Sequence, residues 1–318
     1  MKNRIPFGPV PSRRLGRSLG INHIPPKICT YSCVYCQVGK TLNLNNKRQS
    51  FYKPEEIRFQ VEEKVRELKE KGEKIDYLSF VPDGNPTLDI NLGKEIDLLK
   101  DLGIPIAVIT NGTFLTSQEV REELGKADWV SLKIDAVTKR FWKRINRPHP
   151  EIILSDVLSG MIEFSKNYKG ALNTETMFVE RINDDIEEIK RIANFIELLK
   201  VKKAYIAIPT RPPFCKWVKP PGDEVINTSY NIFSEKILHV ELMTGYAGNG
   251  FAKSDNVRND ILDITAVHPM TEDDIREMLK KVGEDWEVIT SMLNKGEIID
   301  TRYGGKRFFI RALACRRK

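Results

Sequence analysis

Residues 76–110 read DYLSFVPDGNPTLDINLGKEIDLLKDLGIPIAVIT. Asp76–Val81 and Ile104–Thr110 are short apolar runs of buried-strand type, and Leu92–Leu102 between them has apolar residues at helical spacing. Strand, crossover helix and second strand make one βαβ unit, so the two strands lie parallel. The same alternation continues on both sides. Upstream, Pro54–Lys71 is an amphipathic helix with Ile57, Val61, Val65 and Leu68 along one face, started by Pro54 and ended by Gly72. Downstream, Ser117–Lys126, Ile152–Tyr168 and Asp184–Leu199 read as helices, and Asp128–Ile134, Ala171–Val179 and Ala204–Pro209 as strands. With a strand near Ser18–Ile24 there are about six repeats, too few for a closed eight-fold barrel. A partial barrel and an open doubly wound sheet both satisfy this periodicity.

The alternation stops at Pro220-Pro221-Gly222, which divides the chain into residues 1–222 and 223–318. A connecting segment runs to about Gly250. Helices are then expected over 256–265, 271–281 and 285–295, the second capped by Thr271 with Asp274 three residues on. Ile298–Tyr303 and Arg307–Ala312 form a hairpin turning on Gly304-Gly305. Three helices followed by a β-hairpin is a winged-helix pattern.

The chain has 318 residues, 41% hydrophobic and 30% charged, enough for a core without disulfide stapling. No run approaches the roughly 18 apolar residues of a membrane span, and the N-terminus lacks a secretory pattern, so a cytoplasmic protein without a membrane partner is expected. The net charge is +7, unevenly placed: residues 1–50 hold nine Lys/Arg and no acid, while the rest hold 42 bases and 44 acids. That asymmetry suggests an anionic partner such as nucleic acid, or else a merely basic surface.

Three of the five cysteines fall in Ile28-Cys29-Thr30-Tyr31-Ser32-Cys33-Val34-Tyr35-Cys36-Gln37, a C-x3-C-x2-C spacing. An odd count clustered in this way is not a disulfide framework. Three thiolates on one loop suit an iron–sulfur cluster, which takes four ligands in all; three from the chain leave one iron open to a small molecule. Structural zinc and a chance group of buried cysteines are the rivals. Zinc prefers paired cysteines, and Cys215 and Cys315 stand alone; His23 is a conceivable fourth ligand, but lies in an expected strand.

C-x3-C-x2-C with Tyr35 before its last cysteine, on a loop after the first strand of an α/β repeat, resembles the radical S-adenosylmethionine (SAM) superfamily. Pro9–Gly20 (PVPSRRLGRSLG) and Pro25-Pro26-Lys27 make the chain similar to radical SAM iron–sulfur oxidoreductases related to wyosine-type tRNA-modifying proteins. The resemblance spans about residues 5–215. It implies an α/β fold, a partial (β/α)6 TIM-like barrel, followed here by the winged-helix-like domain. It also implies one [4Fe–4S] cluster on Cys29, Cys33 and Cys36 with SAM on the fourth iron, and an electron donor such as flavodoxin or ferredoxin. In that family the reduced cluster cleaves SAM to methionine and a 5′-deoxyadenosyl radical, which abstracts hydrogen from substrate.

The resemblance extends to further landmarks. Pro82-Asp83-Gly84-Asn85-Pro86-Thr87 matches the turn that takes the SAM amino group, with neutral Asn85 where Glu is common. Thr110-Asn111-Gly112-Thr113 matches an element lining the SAM site. Strand alternation points Ser131, Lys133 and Asp135 one way; the resemblance lets Lys133 meet the SAM carboxylate and Asp135 the ribose or substrate. Asn173–Thr176 are polar on a strand otherwise buried, which is costly unless they are paired. Tyr35 and Ile208–Pro213 are placed near the adenine. The expected cofactor-binding set is therefore Tyr35, Asp83, Gly84, Asn85, Asn111, Ser131, Lys133 and Asp135, with no catalytic residue assigned. With only Cys215 and Cys315 left over, no auxiliary cluster is expected; Cys215 is placed near the mouth of the site.

Two substrate classes remain: RNA, including tRNA, met by the basic N-terminal segment, or a protein, peptide or metabolite with the C-terminal domain as docking module. A non-enzymatic, metal-holding, nucleic-acid-binding regulator is the third reading, disfavoured by the complete α/β repeat. The expected recognition helix, 285–295, has Lys295 as its one base and is poor for DNA; Arg302, Lys306, Arg307 and Arg311 on the wing, with Arg316–Lys318, are better placed for phosphate.

Overall fold

The computed structural model describes residues 5–244 and 256–312. Cys315, Arg316–Lys318 and the connecting segment around Gly250 lie outside the described residues.

β1 (Pro6–Ser12) and β2 (Gly16–Ile21) form an antiparallel hairpin. A parallel two-residue pair, β3 (Ile28–Cys29) with β4 (Asn43–Leu44), then ties off the cysteine loop. The alternation follows as α1 (Pro54–Glu70), β5 (Tyr77–Phe80), α2 (Leu92–Lys100), β6 (Ile106–Thr110), α3 (Gln118–Leu124) and β7 (Trp129–Lys133). It continues as α4 (Lys139–Ile145), α5 (Leu154–Asn167), β8 (Ala171–Met177), α6 (Ile186–Leu198), β9 (Lys203–Ala207), α7 (Asp223–Ser234) and β10 (Val240–Met243). The final elements are α8 (Val257–Val267), β11 (Met270–Thr271), α9 (Glu272–Val282), α10 (Glu287–Asn294), β12 (Ile298–Tyr303) and β13 (Lys306–Arg311).

The main sheet runs β1-β2-β5-β6-β7-β8-β9-β10, and all neighbours from β2 to β10 are parallel. Space order equals chain order. A doubly wound sheet reverses its order at a switch point, and this one does not. It is a curled half-barrel. It carries one more parallel strand than the six repeats expected, because β10 pairs with β9 beyond Gly222. That strand, VELM, is too short to stand out by periodicity. Helix α4 was missed for the same reason: it is seven residues long and mostly charged.

Leu78, Phe80, Val108, Val130, Leu132 and Ile206 project from the convex face and are buried in one core with Ile57, Val61, Ile96 and Ile192 of the helices. On the concave side, Leu15 at the β1–β2 turn packs with Ala107, Trp129 and Tyr205 and fills the lower end of the half-barrel. Arg13 of the same turn donates to Leu242 O at 3.2 Å, bridging the two edges of the sheet. A ligand is therefore left the opposite end, where the parallel strands have their C-termini.

The C-terminal segment has its own core, including Ile261, Met278, Ile289 and Phe309, around the sheet β11-β13-β12. The expected cap of α9 is present: the Thr271 hydroxyl accepts from Asp274 N at 3.2 Å, and the Asp274 carboxylate accepts from Thr271 N at 2.8 Å. Val10 packs into this core, and Phe7 packs with Ala266 and Val267, so the module sits on β1.

Candidate active site

The cavity at the C-terminal ends of the strands measures about 350 Å³, and all three cysteines of the C-x3-C-x2-C loop line it. The loop is held from three sides. Leu42 N and Asn43 N donate to Lys27 O, and Asn45 N to Cys29 O, each at 3.0 Å, which closes its base. Val34 N donates to Ile145 O at 2.9 Å and Ser32 N to Asn146 O at 3.0 Å, which fastens it to the end of α4. Phe214 N donates to Cys36 O at 2.9 Å and Cys215 N to Val34 O at 3.0 Å. Burial raises the Cys29 thiol to about 11 and pushes Cys33 higher still. Neutral thiols are thus favoured until a metal takes the proton's place.

Among the described residues, no three His, Cys, Asp or Glu side chains converge on a point that would hold a single metal ion. The three thiols nevertheless line one cavity on one short loop. A soft, all-sulfur donor set spread over one loop fits a cluster, which takes each thiolate on a different iron.

Behind the cysteines lies a hydrogen-bond centre at Asp135, 2% exposed. Its carboxylate accepts from Tyr35 OH, from Asn146 Nδ2 at 2.6 Å and from Met177 N at 2.9 Å. Asn146 Nδ2 also lies 3.4 Å from Cys33 Sγ. The backbone that follows is held by buried Glu188, which accepts from Val137 N at 2.8 Å and Thr138 N at 2.9 Å. On the concave face, Lys133 Nζ donates to Glu175 Oε1 at 2.6 Å and lies 5.1 Å from the Tyr35 ring centroid. Arg14 takes the other oxygen of Glu175. Burial lowers Arg14 to about 10, with nearby Arg211 acting in the same direction.

The turn after β5 packs directly on the cysteine loop. Asn85 donates to Thr87 Oγ1 at 2.9 Å and Thr113 Oγ1 at 3.0 Å, and accepts from Thr110 Oγ1 at 2.7 Å. Asn111 donates to Thr30 Oγ1 at 2.7 Å, tying β6 to the residue after Cys29. Beneath the turn, His23 lies 3.2 Å from Pro86 O and 3.9 Å from buried Glu95, and it does not line the cavity that the cysteines share. Burial lowers His23 to about 4 and raises Glu95 to about 9, with Asp89 and Glu123 adding to the latter. The pair is a neutral contact, not an ion pair. Glu95 ionises near 4.5 when unfolded and about 9 when folded, so its contribution to stability is lost as pH rises through that window. Glu95→Gln removes the loss. Its advantage in thermal midpoint over wild type is expected to be absent at pH 4 and to grow from pH 5 to pH 9; a pH-independent difference would contradict this. The His23 contribution, lost as pH falls from 6.5 towards 4, is common to both proteins.

The mouth is shared with the C-terminal module. Arg211 NH2 lies 2.9 Å from His268 Nε2, and Arg211 NH1 donates to Gln37 Oε1 at 3.3 Å. Tyr303 OH donates to Pro209 O at 3.2 Å. Burial, with Arg211 beside it, holds His268 well below the usual histidine range.

Of the expected set, Tyr35, Gly84, Asn85, Asn111 and Lys133 line the cavity with Cys29, Cys33 and Cys36. Asp83, Ser131 and Asp135 lie outside that lining: Ser131 Oγ is fully buried without a hydrogen-bond partner among the described residues, and Asp83 N donates to Asn22 Oδ1 at 3.0 Å. Cys215 is buried with Tyr31 and Val34 beside the cysteine loop and does not line the cavity. Sequence reasoning did not single out Arg14, Asn146 or His268, and placed Arg211 only as part of the Ile208–Pro213 segment. Of the first three, Arg14 carried a signal, its place in the acid-free N-terminal run.

The comparisons agree with this geometry. A family model described as the Radical SAM superfamily matches residues 24–196. A UPF0026 protein of Methanocaldococcus jannaschii is 48% identical over 316 residues, covering 99% of this chain and 98% of its own. A UPF0026 protein of Synechocystis is 36% identical over 65% of this chain and 76% of its own. Among solved structures, Streptococcus suis SuiB bound to S-adenosylmethionine matches with TM-score 0.52 and 13% identity, over 72% of this chain and 51% of SuiB. A radical SAM methyltransferase from Sphaerobacter thermophilus matches with TM-score 0.52 and 15% identity, over 71% and 66%. These two share the fold; this chain spans about half the length of SuiB.

Proposed function

The chain belongs to the radical SAM superfamily, and on that premise we propose that it cleaves SAM reductively at a [4Fe–4S] cluster on Cys29, Cys33 and Cys36. The observation that carries this is the placement of three thiols of one loop on a cavity of small-ligand size, at the C-terminal ends of parallel strands. When bound, the cluster supplies one electron to the SAM sulfonium, giving methionine and a 5′-deoxyadenosyl radical that takes hydrogen from substrate. The chain's own residues orient and enclose. Gly84, Asn85 and Asn111 border the cofactor, with Asn85 acting through the shape of its turn, since Thr110 already donates to its carbonyl. Lys133 offers a cation for a carboxylate, positioned by Glu175. Tyr35 is a wall held by Asp135, which is thereby a positioning residue, and Ser131 and Asp83 support the barrel beneath.

For the substrate we favour a metabolite or peptide bearing an anionic group over RNA. Arg14, Lys133 and Arg211 face the cavity against Glu175, an arrangement that attracts an anion. The N-terminal bases largely serve internal contacts: Arg13 meets a backbone carbonyl, Arg14 meets Glu175, Arg17 meets Glu73, and Arg48 meets Glu119 and Glu123. We read residues 256–312 as a winged-helix-like module that closes the mouth through His268 and Tyr303, and residues 1–222 with α7 and β10 as the barrel. The thiol chemistry suits a reducing compartment, the cytoplasm.

The test is anaerobic reconstitution with iron and sulfide, reduction by dithionite with SAM, and chromatography for 5′-deoxyadenosine. Its formation is expected. A loaded, reduced cluster that neither yields it nor binds SAM by calorimetry would overturn the reading. Binding of tRNA with a steep salt dependence would restore RNA as substrate.

A further inference from the structure

Any cluster on the cysteine loop needs an electron from outside. On the cavity side the way is occupied by ligand space and by the C-terminal module at His268 and Tyr303. On the other side the loop rests against the end of α4: Ile145 O and Asn146 O accept from its backbone, and Asn146 Nδ2 lies 3.4 Å from Cys33 Sγ. Trp142 Nε1 donates to Tyr31 OH at 3.1 Å from the same helix.

The outer face of that helix is basic. Lys139, Arg140, Lys143, Arg144 and Arg147 are all exposed, and residues 136–150 contain no acid. None of the five makes an ion pair with a carboxylate among the described residues. The face continues: Arg144 NH2 donates to Arg181 O at 2.9 Å, and Glu180 N to Lys219 O at 3.0 Å, which brings Lys216, Trp217 and Lys219 alongside. Trp217 is 51% exposed, a large aromatic with lysines on either side. Glu180 stands in this face beside Arg181. An exposed aromatic among predominantly basic side chains is the anatomy of a docking site for a protein of opposite charge.

We propose that α4 and residues 214–219 dock an acidic one-electron carrier protein, flavin- or iron–sulfur-based, that reduces the cluster through the Asn146–Cys33 side. The step moves one electron: the carrier is oxidised by one unit, the cluster is reduced by one, and no bond or proton changes place. Two observations favour a carrier over RNA. The helix is about 10 Å long, short for a nucleic-acid track. Its last turn also abuts the cysteine loop and not the cavity mouth, so an RNA bound there would not present a base to the site.

This inference rests on the cluster assignment above, and the test separates the two. The probe is flavodoxin, titrated against the reconstituted protein and followed by fluorescence at rising salt. Wild type is expected to bind, weakening as salt rises, and Lys139→Glu/Arg140→Glu/Lys143→Glu to bind at least ~10-fold more weakly. Flavodoxin-driven 5′-deoxyadenosine formation should fall in parallel, while dithionite-driven formation is unchanged. Equal flavodoxin binding by variant and wild type, or loss of tRNA binding alone in the variant, would overturn the docking proposal. Absence of dithionite-driven cleavage in wild type would instead count against the cluster assignment, and the binding comparison would still decide the docking face.

Discussion

Cys33→Ala is expected to yield a folded protein that forms no 5′-deoxyadenosine above about one-hundredth of the wild-type rate with dithionite. Loss of supporting residues around a metal site already costs ~10–100-fold, and here a proposed ligand itself is removed. Cys33 is the central thiol of the three, between the tie to Asn146 and the tie of Val34 to Ile145. Cys215 is buried and outside the cavity lining, so it is poorly placed to replace Cys33. The backbone hydrogen bonds of the loop involve no Cys33 side-chain atom, so the fold should persist, which circular dichroism checks. Iron content, the cluster absorption band and product formation should fall together. Cleavage retained with an unchanged cluster spectrum would show that Cys33 is not a ligand.

Gly84→Ala is expected to have a comparable effect by a route that touches no ligand. A Cβ at position 84 would lie 1.8 Å from Ile28 O and 2.9 Å from Ile28 C, the residue preceding Cys29. No side chain can turn aside there; backbone must move. Overpacking in a core costs about 1–3 kcal/mol, and with backbone as the obstacle the upper end applies. The strain falls on β3, where Ile28 and Cys29 pair with Asn43 and Leu44. Reconstituted iron and the thermal midpoint should therefore both drop. Gly222→Ala is the control, since nothing lies within 4 Å of its Cβ; it should stay within ~0.5 kcal/mol of wild type. A Gly84→Ala protein with full cluster content and an unchanged midpoint would show that the contact with Ile28 gives way freely.

Glycine at position 84 illustrates how a site can be legible for an incomplete reason. The sequence suggested close approach of backbone to a ligand; the structure adds close approach of backbone to the cysteine loop. Asn85 is similar. Its place in the turn was readable, but two of its three hydrogen bonds depend on Thr110 and Thr113, brought over by the pairing of β5 with β6. Asp135 was expected beside a ligand and instead fastens Tyr35, Asn146 and Met177. A carboxylate at a strand end has the same sequence signature whether it faces a cavity or the wall behind one.

The sequence by itself determined what is encoded within a few residues: the three cysteines and their spacing, the helical and strand periods, and the Thr271–Asp274 cap. Each depends on neighbours along the chain, and short-range geometry is nearly the same wherever the segment ends up. Tertiary structure alone decided the strand order, hence half-barrel over doubly wound sheet, because both arrangements bury the same periodic faces. It also decided the contact of Arg14 with Glu175, 161 residues apart, and of Lys133 with Glu175, 42 apart. The same holds for α4, whose basic face acquires meaning only where its last turn meets the backbone of Ser32 and Val34. Such contacts join groups whose separation is set by the path of the whole chain, and no local pattern carries that distance.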